Sequence, residues 1–296
     1  MLAALLACAS CASSGAASGA TPAADGGPVR VVASTNVWGD VVRQVAGDRA
    51  SVVSLISDPD QDPHSYEADA KVQLALAKAQ VVVENGGGYD DFVRQMLASA
   101  GGSRRVIDAV EVSGKTAPPG GELNEHVWYD LPTVEEVATA VATALSATDP
   151  AGATAYQQGA TRFIGRLHDL EQRDREIGQA HAGEGVGITE PVPGYLLAAT
   201  GLVDRTPHAF SEAVEEGTDV SPAVLHETLE LYSRKRVAVL VYNAQTTGTT
   251  TERVLAAARS AGVPVVPVTE TLPAGQDFLT WMGETVSRLG HALDGT

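Results

Sequence analysis

Imidazole and carboxylate groups bind divalent transition metals when they converge from separate loops on a rigid frame, and four side chains of this chain are placed to do so. His64 lies in Asp62-Pro63-His64-Ser65-Tyr66-Glu67, in the loop after a strand expected from Val52 to Ile56. His126 lies in Asn124-Glu125-His126-Val127-Trp128-Tyr129-Asp130, just before a pair of expected helices. Glu190 follows a strand expected from Val186 to Thr189, and Glu270 follows one expected from Val263 to Val268. Taken singly, a histidine or a post-strand glutamate is more often a surface or capping residue. Here two candidates come from each half of the chain, an even split that is harder to dismiss.

Such loops need a frame, and open parallel sheets supply one by presenting loops at the carboxyl ends of their strands. From Val29 onward short β-branched runs alternate with longer amphipathic ones, the pattern of strands that cross over through helices into a parallel sheet. The first series has strands at Val29 to Ala33, Val52 to Ile56, Val81 to Glu84 and Arg105 to Ile107, with helices over Val37 to Val45, Ala68 to Lys78 and Asp91 to Ala98. A second series has strands at Val186 to Thr189, Val237 to Tyr242 and Val263 to Val268, with helices near Ser221 to Ser233, Thr249 to Ala261 and Phe278 to Leu289. Between them the strand signal vanishes. Thr133 with Glu136 reads as a capping box, and Asp149-Pro150 as a second helix start. In the second helix Tyr156, Ala160, Phe163, Leu167, Leu170 and Ile177 recur on one face. The fold expected is therefore α/β, with two parallel-sheet βα lobes joined by one long rigid helix. Residues 28–148 would form the first lobe, 149–183 the linker helix and 184–296 the second lobe.

Composition narrows the partners. A formal charge of −17 over 296 residues argues against nucleic acid, which would need a basic surface, and favours cations. No apolar run is long enough to span a bilayer as a helix. The start, Met1-Leu2-Ala3-Ala4-Leu5-Leu6-Ala7-Cys8, resembles a bacterial lipoprotein signal in which Cys8 would carry the lipid anchor, with residues 1–27 as leader and flexible tether. Both cysteines, Cys8 and Cys11, fall in that leader, so zinc-thiolate sites and disulfides are excluded from the body.

The stretches Ala33-Ser34-Thr35-Asn36-Val37-Trp38, Asp62 to Glu67, Glu84-Asn85-Gly86-Gly87-Gly88 and Glu125-His126-Val127-Trp128 closely resemble the zinc and manganese solute-binding proteins of metal-importing ABC transporters, in order from Val29 to Leu293. The resemblance implies a receptor and not an enzyme: a monomer, exported and membrane-anchored, that carries Zn2+ or Mn2+ to an ABC permease. Its two histidine ligands carry over to His64 and His126. The third ligand, histidine or glutamate in the family, falls on Glu190. The fourth is usually an aspartate and falls on Glu270, with Asp277 as the alternative. Residues 113–125 hold no histidine, so the His-rich loop of many zinc members is absent.

The competing readings are a metal-dependent hydrolase and a surface adhesin. No His-Glu-x-x-His helix or His-x-His cluster supports the first, and no sequence feature encodes the second. His168, His181, His226 and His291 read as packing or solvent-exposed residues. His208, in Thr206-Pro207-His208, stands close enough to a possible strand end to approach the site. Asn243-Ala244-Gln245 could serve either as a turn or as hydrogen-bonding support for a ligand.

Overall fold

A computed structural model describes residues 27–58, 66 and 68–295. The first series of elements is β1 (Val29–Thr35), α1 (Asn36–Ala46), β2 (Ala50–Ile56), α2 (Ala70–Lys78), β3 (Val81–Glu84), α3 (Asp91–Ala100), β4 (Arg105–Asp108) and α4 (Ala109–Ser113). Two helices follow, α5 (Leu131–Thr148) and α6 (Ala153–His181). The second series is β5 (Gly185–Ile188), α7 (Gly194–Ala199), β6 (Val203–Asp204), α8 (His208–Glu215), α9 (Pro222–Ser233), β7 (Val239–Asn243), α10 (Thr249–Ser260), β8 (Val265–Val268) and α11 (Phe278–Asp294).

Each series makes a four-stranded sheet in which every pairing is parallel, in the orders β2-β1-β3-β4 and β6-β5-β7-β8. The two orders are equivalent. In each lobe the chain first moves outward by one strand and then crosses to the other side, leaving a crevice at the carboxyl ends of β1 and β3, and of β5 and β7. Ligands of open parallel sheets bind at such crevices. The central strands read as unbroken apolar runs because both faces are covered: all four residues of β3 and all five of β7 are buried.

Helix α6 runs 29 residues, about 43 Å at 1.5 Å per residue. It buries Tyr156, Ala160, Phe163, Leu167, Leu170 and Ile177, the face its periodicity defines. Gly159 lies on the same face, where a Cβ would collide with the Val45 carbonyl oxygen of α1, so only glycine permits the close approach of α6 to the first lobe. The start of α5 differs from the capping box expected at Thr133. Asp130 is the N-cap, its carboxylate accepting from the Thr133 N–H at 3.2 Å, with Pro132 in the first turn. A cap closer to the chain's entry point satisfies the same free N–H groups and displaces Thr133 into the helix. Asp149-Pro150 opens only a short 3-10 turn, Pro150–Gly152, without a side-chain cap; the Asp149 carboxylate accepts the Tyr156 hydroxyl at 2.8 Å instead, and α6 begins after Gly152.

The lobes share one core. A single buried cluster includes Val31 and Val83 of the first sheet, Leu167 of α6, Val186 and Val266 of the second sheet and Trp281 of α11. Polar contacts also cross between the lobes. The Asn36 amide donates to the Leu272 carbonyl at 3.0 Å while its oxygen accepts the Leu272 N–H at 2.9 Å, and the Asp40 carboxylate accepts the Phe278 N–H at 2.9 Å. A smaller cluster holds Phe210 and Val214 of α8 against α9, α10 and β7, outside the shared core.

Candidate metal centre

His126 is fully buried in the loop that precedes α5, immediately before a 3-10 turn at Val127–Tyr129. Trp128 and Tyr89 pack around its ring, with centroids at 5.1 and 6.1 Å. Asn124 fixes its chemistry. The Asn124 amide nitrogen donates to the Pro191 carbonyl at 2.9 Å, which turns the amide oxygen toward His126 Nδ1 at 2.8 Å. An amide oxygen can only accept, so Nδ1 donates a hydrogen and Nε2 is the nitrogen turned toward the carboxylates of the second lobe, the orientation that metal-ligating histidines take from their supporting partners. Asn124 thereby also links the first lobe to the loop after β5.

The loop after β5 carries Glu190 and the loop after β8 carries Glu270, respectively 3% and 1% exposed. Asn243, the last residue of β7, donates its amide hydrogens to both: to Glu190 Oε2, and to Glu270 Oε1 at 2.9 Å. It sits at the crevice edge because β7 lies between β5 and β8, and the Asn243 N–H is anchored to Thr189 Oγ1 at 2.9 Å. The Asn243-Ala244-Gln245 segment makes a turn, with Asn243 Oδ1 accepting the Gln245 N–H at 3.1 Å, and also hydrogen-bonds both carboxylates. Gln245 Oε1 also accepts the Glu270 N–H at 2.5 Å and the Thr271 N–H at 3.1 Å.

Glu270 faces the first lobe. Its Oε2 accepts the Tyr89 hydroxyl at 3.1 Å and lies 3.9 Å from His126 Nε2. Tyr89 is placed by the turn after β3, in which Gly86, Gly87 and Gly88 all have positive φ and Asp90 accepts the N–H groups of Asn85 and Gly86 at 2.6 and 2.8 Å. Burial, with the Glu270 charge, pushes the Tyr89 hydroxyl well above its ordinary value, so it stays a donor. Burial and then the Glu215 charge push the Glu190 carboxyl up to about 8, with Glu270 adding to the rise and the Asn243 hydrogen bond opposing it.

Of the expected ligands, the structure brings His126 and Glu270 into contact and couples Glu190 to Glu270 through Asn243. His64 falls outside the described residues, as do Cys8 and Cys11. Asp277 is spent elsewhere, as the N-cap of α11 accepting the Thr280 N–H at 2.7 Å. His208 opens α8 with its ring 75% exposed and paired to Glu212 at 3.2 Å, so its imidazole is not at His126. His168 and His226 are exposed, and His181 pairs with Glu184 and Asp294. The residues that sequence reasoning passed over are Asn124, Tyr89 and Glu215. The triple glycine before Tyr89 signalled an unusual turn; the other two carried no pattern of their own.

Two equivalent parallel-sheet lobes on a shared core, with imidazole and carboxylates meeting between them, define a two-lobed α/β protein with a helical connection. The chain belongs to the family described as zinc-uptake complex component A, periplasmic, whose model matches residues 31–292. It is 30% identical over 152 residues to the manganese-binding lipoprotein MntA of Halalkalibacterium halodurans, covering 50% of this chain and 49% of that protein. It is 24% identical over 172 residues to the manganese ABC transporter substrate-binding lipoprotein PsaA of Streptococcus mitis, covering 54% of this chain and 55% of that one. The matches thus span about half the length of each. Among solved structures it resembles the SBP FpvC of Pseudomonas aeruginosa in complex with Mn2+, with a TM-score of 0.74 and 23% identity over 90% of this chain and 99% of that one, a likeness of fold. No described helix is long and apolar enough to cross a membrane.

Proposed function

We propose that this protein is an extracytoplasmic receptor that binds a divalent transition metal, zinc or manganese, between its lobes and delivers it to the permease of an ABC importer. The observation that carries this reading is His126: a fully buried imidazole whose Nδ1 is held by Asn124 while Nε2 looks onto the carboxylates of the second lobe. Glu190 and Glu270 supply oxygen donors, and His64, through its Asp-Pro-His motif, the second imidazole. The names of MntA and PsaA support manganese as cargo, and that of the family supports zinc.

In this reading residues 1–27 are leader and tether, with the anchor at Cys8, and the two lobes, 28–148 and 184–296, act as a monomer joined through 149–183. The ion is cargo and no bond is broken, so there is no turnover. Protein purified without chelator should carry bound metal, and calorimetric titration after its removal should give one site per chain. His126→Ala should abolish that site while leaving the circular dichroism of the metal-free protein unchanged. Wild-type affinity in His126→Ala would remove the reading.

A further inference from the structure

The donor set above leaves two carboxylates beside His126 without a role, Glu125 and Glu215. Glu215 is the last residue of α8, in the second lobe, and its Oε1 lies 3.3 Å from His126 Nε2, nearer than Glu270 Oε2 at 3.9 Å. Its side chain is 13% exposed and that of His126 is fully buried. Glu125, His126 and Glu215 present potential ligand atoms that all lie within 4.8 Å of one another. Glu215 also lines a cavity of about 340 Å³ bounded by the Glu122 to Glu125 loop, Pro191 and α8. It therefore touches both the buried nitrogen and the space beside it.

We propose that Glu215 is a further ligand to the carried ion, beside His126, Glu190 and Glu270, and that this additional oxygen donor shifts the site toward manganese over zinc. The proposal rests on the metal-receptor reading. Its chemistry follows from the other two carboxylates. Glu190 and Glu270 are oriented by Asn243 and Tyr89, whereas Glu215 reaches His126 Nε2 from the end of α8. Glu215 and Glu270 both lie within 4 Å of His126 Nε2, at 3.3 and 3.9 Å, and a divalent cation between their carboxylates removes the repulsion between them. Zinc is satisfied by four ligands, while manganese favours oxygen donors and higher coordination numbers, so a ligand beyond the usual four is worth more to manganese.

The test uses the full chain stripped of metal and reloaded with Mn2+ or Zn2+ alone. Glu215→Gln keeps the shape and removes the charge; Glu215→Asp keeps the donor type and shortens the reach. Glu215→Gln should weaken Mn2+ by about tenfold or more, since even supporting partners of ligands are worth that much, and weaken Zn2+ distinctly less. Glu215→Asp should fall between Glu215→Gln and wild type for Mn2+. X-ray absorption of the Mn2+-loaded protein should lose one oxygen neighbour in Glu215→Gln. An unchanged Mn2+ to Zn2+ affinity ratio, or an unchanged oxygen shell, would overturn the proposal. If His126→Ala also left both affinities unchanged, the metal site itself would be misassigned, a failure distinct from that of Glu215.

Discussion

The Glu190 carboxyl is pushed up to about 8, so a cation bound there as proposed would compete with a proton at neutral pH. The sign follows from the direction of the shift. Between the ordinary 4.5 and about 8 the folded, metal-free state holds more protons than the unfolded one, so its contribution to stability is fully present below 4.5 and is lost as pH rises through 8. Metal affinity runs the other way, rising with pH to about 8 as the competing proton becomes easier to expel. Titrations at pH 7 in buffers of different ionisation enthalpy should show a proton released on binding, and Glu190→Gln should release fewer. Asn243 offers a second test at this scale. Because one amide orients two carboxylates, Asn243→Ala should weaken metal binding about 10- to 100-fold with a smaller effect on folding, measured by titration and thermal melting. The placement of His126, Glu190 and Glu270 in loops was legible in the sequence because each stands beside a strong strand, helix or motif signal. Glu215 was not, since Glu212-Ala213-Val214-Glu215-Glu216 reads as the solvated end of a helix and its approach to His126 spans almost ninety positions of chain.

Helices with long apolar periods were the most readable elements, and α6 is found where Tyr156 to Ile177 placed it. The short ones were not. Helices α4 and α7, at five and six residues, offer less than two turns of periodicity, and β6 has only two residues, so tertiary contact decides them. Within α6 two positions carry predictions. Gly159→Ala would drive a methyl group into the α1 backbone and should destabilise the protein by about 1–3 kcal/mol in chemical denaturation, against a gain of under about 1 kcal/mol from helix propensity. Asp174 is 3% exposed, its Oδ1 has no hydrogen-bond partner among the described residues, and burial, with Glu171, pushes its carboxyl up to about 7. Its folded pKa lies above the ordinary value, so stability is lost as pH climbs from 3.8 to 7. Asp174→Asn should leave the melting point at pH 4 nearly unchanged and raise it at pH 8 by roughly 5 °C.

Over the whole molecule, the helical connection is only one of the restraints on the lobes. The core that unites Val83, Leu167 and Val266, and the Asn36 amide paired both ways with Leu272, make a hinge opening costly, because it would expose apolar surface and break polar pairs together. Small-angle scattering profiles of metal-free and metal-loaded protein should therefore nearly superimpose, and a marked fall in radius of gyration on loading would contradict this. Loading should still raise the melting point, since a ligand at a thousandfold excess over its Kd adds about 4 kcal/mol. The separate footing of α8 has a kinetic consequence. Its Phe210 and Val214 belong to the smaller cluster and not to the core that joins the lobes, so this helix can loosen while the frame stands. With Glu215 as a ligand, as proposed, the residence time of the ion would follow the opening of one eight-residue helix, and dissociation in solution should keep pace with amide exchange in α8.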